Sequence, residues 1–220
     1  MIRLNITAEG FSEERFVSDI LRPHLLNFEI YADVRKVLTN RKLRKRGGIV
    51  GYHKFKNDVI QWIRESPNVY HTTLIDLYGL TTDFPGHIAT KDLPAYDRIE
   101  EMERLLGVDI NHHTFIPYIQ LHEYEALMFA DPVVMQNWLG LYNQLPENCF
   151  EKIRSSVPDN NPELINEGPN TAPSKRILDL CDAYDKIDDG VLILKEIGLN
   201  NLRKECTHFN EWLTKLEQLR

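Results

Sequence analysis

Hydrophobic and polar positions alternate with period two from Arg3 to Thr7, and the alternation stops at Ala8-Glu9-Gly10. Successive side chains of a strand face opposite sides, so this pattern predicts a strand followed by a turn. Ser12 is placed to cap a helix from Glu13, whose early acids suit the positive end of the helix dipole. Phe16, Val17, Ile20, Leu21 and Leu25 mark that helix's buried face. Pro23 is expected to kink or end it. Ile30 to Leu38 reads as a second strand and Lys54 to Arg64 as a helix with Phe55, Val59, Ile60 and Ile63 on one side. His71 to Leu77, rich in β-branched residues, fits a third, buried strand. It gives way to a loop through Thr82-Asp83-Phe84-Pro85-Gly86. Tyr96 to Leu106 is a charged amphipathic helix and Thr114 to Gln120 a fourth strand. His122 to Phe129 continues as a helix or a sharp strand-to-helix junction.

Strands alternating with helices predict an α/β fold, a mostly parallel Rossmann-type sheet with helices on both faces. From about Asp131 the strand signal disappears. Pro158 to Pro173 reads as a long loop, and Ser174–Ala183, Val191–Ile197 and Asn201–Leu219 read as helices. The expected division is therefore an α/β core over residues 1–130 and a helical part over 131–220 packed on it. No internal repeat is evident.

Composition narrows the class. The 220 residues are 42% hydrophobic, enough for a core, yet no run approaches the roughly 18–20 apolar residues of a membrane span. The first residues lack the pattern of a secretory leader. Cys149, Cys181 and Cys206 are widely spaced and contain no CxxC, as expected of reduced cytoplasmic thiols. The net charge of −7 is unevenly spread: Arg35, Lys36, Arg41, Lys42, Arg44, Lys45 and Arg46 fall together without an acid among them. A basic loop on an acidic body suits a phosphate-bearing partner, although a solvated loop with no partner explains a charge run equally well.

In an open α/β sheet, ligands bind beyond the carboxyl ends of the strands. Glu9 follows the first strand, Asp76 ends the third, and Glu123 and Glu125 follow the fourth. Parallel strands bring these ends to one edge, where converging carboxylates repel unless a cation neutralises them. Oxygen-only ligation suits Mg²⁺ or Mn²⁺. Such acids can also simply cap helices or face water, and that simpler reading is preferred for Glu13, Asp97 and Glu103. His122 is more often structural than a ligand or proton shuttle, and His112-His113 opens a strand. No GxxxxGK[ST] and no GxGxxG is present, which removes support for a nucleoside triphosphatase or a dinucleotide enzyme.

Glu9-Gly10-x-Ser12-Glu13 after a first strand resembles the EGxTE motif of Toprim-like nucleases, including the overcoming-lysogenization-defect and RloB-like families. More closely, the chain resembles a bacterial family named domain of unknown function 4276. The matching segments are Arg3–Phe16, Ile75–Gly86, Phe115–Phe129, Ala172–Ile177 and Tyr184–Lys186. The resemblance implies a Toprim-like fold and a catalytic group of Glu9, Asp76, Glu13 and Lys186. Glu9 would be general acid/base, and Glu9, Asp76, Asp83 and Glu125 would hold the metal. Tyr78 stands where the Toprim DxD pattern has its second aspartate, so Asp83, Glu123 or Glu125 would have to replace it. The implied activity is Mg²⁺- or Mn²⁺-dependent nuclease action on DNA or RNA in bacterial anti-phage defence. Arg41, Lys42, Arg44, Lys45 and Arg46 would grip the nucleic acid. An ATPase of the AAA or ABC kind is an expected partner, and a homo-oligomer is open. The alternative is a regulatory or scaffold subunit whose Toprim site has decayed, and a third reading is a phosphotransfer enzyme acting on nucleotides.

Overall fold

The computed structural model describes residues 1–40, 45–46, 51–142, 144–165 and 171–220. The chain divides into two compact units, Met1–Gln120 with Lys215–Arg220 and Leu121–Thr214.

The first unit opens with β1 (Ile2–Ala8), followed by α1 (Phe11–Phe16) and α2 (Arg22–Leu26), which are joined by a π-helical turn at Val17–Leu21. Next come β2 (Ile30–Lys36) and the small hairpin of β3 (Leu38–Asn40) and β4 (Lys45–Arg46). α3 (Tyr52–Glu65), β5 (Tyr70–Asp76), α4 (Ala95–Ile110), β6 (Phe115–Ile116) and β7 (Ile119–Gln120) complete it. The expected α/β class with a mostly parallel sheet is observed. β1 is flanked by β2 and β5, all parallel, and β6 and β7 both pair parallel with β5.

This order fixes where the helices lie. The chain steps from β1 outward to β2, then returns across β1 to β5 and onward to β6. Right-handed crossovers place α1 and α2 on one face and α3 and α4 on the other. Lys56 of α3 meets Asp109 of α4 at 2.7 Å, as two helices on one face should. The sheet is covered on both sides, so β1 and β5 are buried nearly throughout.

Several elements differ from the pattern-based expectation for local reasons. The first helix starts at Phe11, not Glu13. Gly10 is its N-cap, and the Glu13 carboxylate reaches back to the Gly10 N–H at 2.7 Å. Pro23 does not end the helix, because the preceding π turn changes the hydrogen-bond ladder where the proline lacks its N–H. The fourth strand is split in two around Pro117-Tyr118. Thr73 Oγ1 donates to the Tyr118 carbonyl at 2.7 Å and accepts from its N–H at 2.9 Å, standing in for ladder bonds.

The second unit is helical. A 3₁₀ turn at Tyr124–Ala130 precedes α5 (Pro132–Leu139), α6 (Cys149–Arg154), α7 (Pro173–Leu180), α8 (Asp188–Ile197), α9 (Leu199–Glu205) and α10 (Thr207–Glu217), the last of which counts with the first unit from Lys215. The last predicted helix is two, because Cys206 adopts an extended conformation between α9 and α10. The expected loop before α7 carries two 3₁₀ turns, Pro158–Asn160 and Pro162–Leu164, and its residues 166–170 lie outside the described ones. Among the described residues, no helix is long and apolar enough to cross a membrane. All three cysteines are free and buried.

Candidate functional site

The reversal of strand order falls between β1 and β5. In open α/β sheets such a switch point, beyond the carboxyl ends of the strands, is where ligands commonly bind. Glu9 follows β1 and Asp76 ends β5 at this point. The Glu9 N–H continues the ladder by donating to the Leu74 carbonyl at 3.0 Å, and Val37 N donates to the Ala8 carbonyl at 3.0 Å. The backbone that carries Glu9 is therefore pinned from both neighbouring strands. Its side chain turns toward β5, where Glu9 Oε2 accepts the Asp76 N–H at 3.0 Å. Asp76 itself is the residue at which β5 turns into a 3₁₀ turn, Leu77–Gly79.

Gly79 completes this arrangement. A Cβ at that position would lie 2.6 Å from Glu9 Oε1 and 3.1 Å from Oε2. A side chain here would displace the Glu9 carboxylate, whereas the backbone angles of Gly79 do not call for glycine. Sequence pattern does not reveal this contact, which only the side-chain path of Glu9 creates.

The other predicted residues have different surroundings. Glu13 is buried and ties its carboxylate to the Gly10 N–H, one residue from Glu9, so it stiffens the turn that presents Glu9. Asp83 caps α3 from a distant loop. Its Oδ2 accepts the Tyr52 N–H at 2.9 Å and its Oδ1 is bonded by the Thr81 hydroxyl. The Thr81 bond leads in holding the Asp83 carboxyl below the usual carboxylate range. In the second unit, Glu125 and Lys186 are brought together at 2.9 Å. Burial pushes the Glu125 carboxyl up, Lys186 opposes that rise, and Glu123 adds to it. Glu123 accepts the Ser174 N–H at 2.9 Å at the start of α7. His122 adopts a left-handed backbone with φ of 60°, which makes the sharp junction before Glu123. Arg41, Lys42 and Arg44 lie outside the described residues, and of Lys45 and Arg46 only the backbone, in β4, is described. Two further cations of that basic run serve the fold. Arg35 lies over the Trp62 ring at 4.3 Å and donates to the Asp58 carbonyl, while Lys36 pairs with Glu14.

Among the described residues, no three or more His, Cys, Asp or Glu side chains gather closely enough to form a ready metal cage. The donor chemistry of the strand-end pair is nevertheless of the kind a hard cation takes. Mg²⁺ commonly uses only one or two carboxylates, completing its shell with water and substrate phosphate oxygens. Glu9 and Asp76 supply that donor chemistry at adjoining strand ends, whereas Asp83 is engaged as a helix cap.

Two buried acids carry structure in ways the sequence pattern did not signal. Glu163 is fully buried and accepts the N–H groups of His208 and Phe209, each at 3.0 Å, at the open start of α10. Asp189 accepts the Tyr142 hydroxyl at 2.9 Å and the Asp185 N–H at 2.9 Å.

No curated protein matches the chain. Solved structures similar to it include the C-terminal region of the Burkholderia pseudomallei OLD protein. That match has 15% identity and a TM-score of 0.48, and covers 98% of this chain and 97% of that one. The C-terminal region of the Xanthomonas campestris pv. campestris OLD protein is similar at 16% identity and a TM-score of 0.42, covering 98% of both chains. The family model described as Domain of unknown function (DUF4276) matches residues 8–217, nearly the whole chain, and the protein belongs to that family.

Proposed function

We propose that this protein is a divalent-cation-dependent nuclease whose reactive centre is the Glu9–Asp76 pair. The observation that carries the reading is the meeting of the two acids at the switch point of the sheet, with Glu9 Oε2 on the Asp76 N–H at 3.0 Å. The likeness of Glu9-Gly10-x-Ser12-Glu13 to the Toprim glutamate motif supports the same assignment.

Glu9 and Asp76 would hold Mg²⁺ or Mn²⁺, which when bound neutralises phosphate charge and polarises a phosphoryl oxygen. The protein's own part is positional. The Asp76 N–H fixes Glu9 Oε2, which directs Oε1 as the atom that takes the proton of the attacking group and returns one to the leaving oxygen. Glu13 holds the Gly10 turn and so the direction of Glu9. Arg41, Lys42, Arg44, Lys45 and Arg46 supply phosphate-binding charge, giving salt-sensitive binding of DNA or RNA with little sequence preference. Resemblance to Toprim-like families supports a bacterial defence role alongside an ATPase partner. Assignment of Asp83, Glu125 and Lys186 to the same chemistry stays part of the proposal and rests on that resemblance.

Incubation of plasmid, single-stranded DNA and tRNA with Mg²⁺ or Mn²⁺ tests the reading. Wild type is expected to cleave, and Glu9→Gln and Asp76→Asn to lose cleavage while unfolding at the wild-type temperature. Folded variants that cleave like wild type would remove both residues from the site. Tyr78 at the second-acid position favours a decayed scaffold instead, and absence of Mg²⁺ and Mn²⁺ binding by calorimetry would decide for it.

A further inference from the structure

Two large aromatic residues lie open to solvent beside the acidic pair. Phe11 comes two residues after Glu9 and is 53% exposed; Tyr78 comes two residues after Asp76 and is 45% exposed. Phe11 opens α1 just beyond β1 and Tyr78 lies in the 3₁₀ turn just beyond β5, so each follows the carboxyl end of one of the two strands that flank the switch point. Phe16, Phe55 and Phe84 are buried in the core of this unit, whereas Phe11 and Tyr78 are exposed, as are Phe28 and Tyr31, which do not adjoin the acidic pair in sequence.

Phe11 is also anchored. The Lys36 ammonium lies 4.0 Å from its ring centroid, and Lys36 is itself held by Glu14. A cation beneath one ring face fixes the plane of the ring at little entropic cost, leaving more than half of the residue to solvent. Lys36 ends β2, in register with Ala8, so the anchor belongs to the same sheet edge as Glu9.

We infer that Phe11 and Tyr78 form a stacking platform for unpaired bases flanking the scissile phosphate, which makes single-stranded nucleic acid the substrate class of the Glu9–Asp76 site. The inference rests on the reading of that site as a nuclease centre. Paired bases inside a duplex already stack on their neighbours and present no open face, whereas each unpaired base has one. Stacking on an aromatic side chain is worth about 1–3 kcal/mol per base. In this view the aromatic at position 78 exchanges a would-be acid for a base contact.

Fluorescence anisotropy of the full chain with a labelled single-stranded oligonucleotide and with a hairpin duplex of equal length, in buffer without divalent cation, tests the platform independently of cleavage. Phe11→Leu, which keeps apolar bulk without the ring, and Tyr78→Ala are each expected to weaken single-strand binding roughly 5- to 150-fold. Duplex binding should change less than about twofold. Phe11→Trp should restore or exceed wild-type affinity, and the salt slope of the variants should match wild type, since no phosphate contact is removed. Variants that bind the single strand as wild type does, or that lose both ligands equally, would overturn the inference. So would a wild type that binds neither ligand. If Glu9→Gln cleaves normally while the anisotropy pattern holds, the nuclease assignment of Glu9 fails and the platform stands as a binding site.

Discussion

Replacing Gly79 by alanine separates the chemistry proposed for Glu9 and Asp76 from the stability of the fold. The new methyl carbon would sit 2.6 Å from Glu9 Oε1 and 3.2 Å from its carboxyl carbon. The nearer approach falls roughly 1 Å short of ordinary van der Waals contact, so one partner must move. The atoms in the way are the far end of a flexible side chain, whereas Gly79 lies on a short 3₁₀ turn fixed at the end of β5. Glu9 therefore yields, and its bond from the Asp76 N–H is strained or lost. Loss of one hydrogen bond to a charged group costs at most about 1.5–3 kcal/mol, and less if water replaces the partner. A reacting carboxylate misplaced by about 1 Å, by contrast, loses on the order of 100-fold in rate. The expected Gly79→Ala protein is folded, unfolds within several degrees of wild type, and cleaves about two orders of magnitude more slowly in Mg²⁺. Measuring single-turnover cleavage beside thermal unfolding checks both halves. A variant of wild-type rate would show that the Glu9 position set by Asp76 and Gly79 has no bearing on the reaction.

Two predictions concern the scaffold. Glu163→Ala leaves the His208 and Phe209 N–H groups at the start of α10 without their carboxylate, and should cost about 3 kcal/mol in urea unfolding. A loss below about 1 kcal/mol would mean that water or another group caps the helix just as well. His71, buried in β5 and edge-on to Trp62 at 6.0 Å, has its pKa lowered, chiefly by burial. A lowered folded-state value means that the unfolded chain binds the proton more readily. The stability tied to neutral His71 is thus complete above the usual 6.5 and is lost as pH falls through the folded value. Denaturation followed by tryptophan fluorescence at about pH 7.5 and about pH 5.5 should show this drop, and His71→Gln should lessen it. An equal drop in the variant would assign the acid sensitivity to other groups.

The sequence by itself determined the α/β class, the identity of the main strands and the placing of Glu9 and Asp76 at strand ends. These follow from periodicity, because a buried strand or helix must present apolar residues at its own spacing, and from acids and glycines at the points where the pattern stops. Details of local hydrogen bonding escaped that reading. Glu13 looked like an ordinary first-turn acid, yet it closes the turn that carries Glu9, and Pro23 read as a kink or an end of the helix, where the chain runs on through a π turn. Tertiary structure alone decided that β5 returns beside β1, so that residues 67 positions apart share a hydrogen bond. It also decided that Asp83 caps α3, that the Glu9 carboxylate lies against Gly79, and that Phe11 and Tyr78 stay exposed. The physical reason is common to all of these. Periodicity records how each segment meets the core, whereas a site depends on which segment ends meet each other. That is set by the crossover order of the whole sheet.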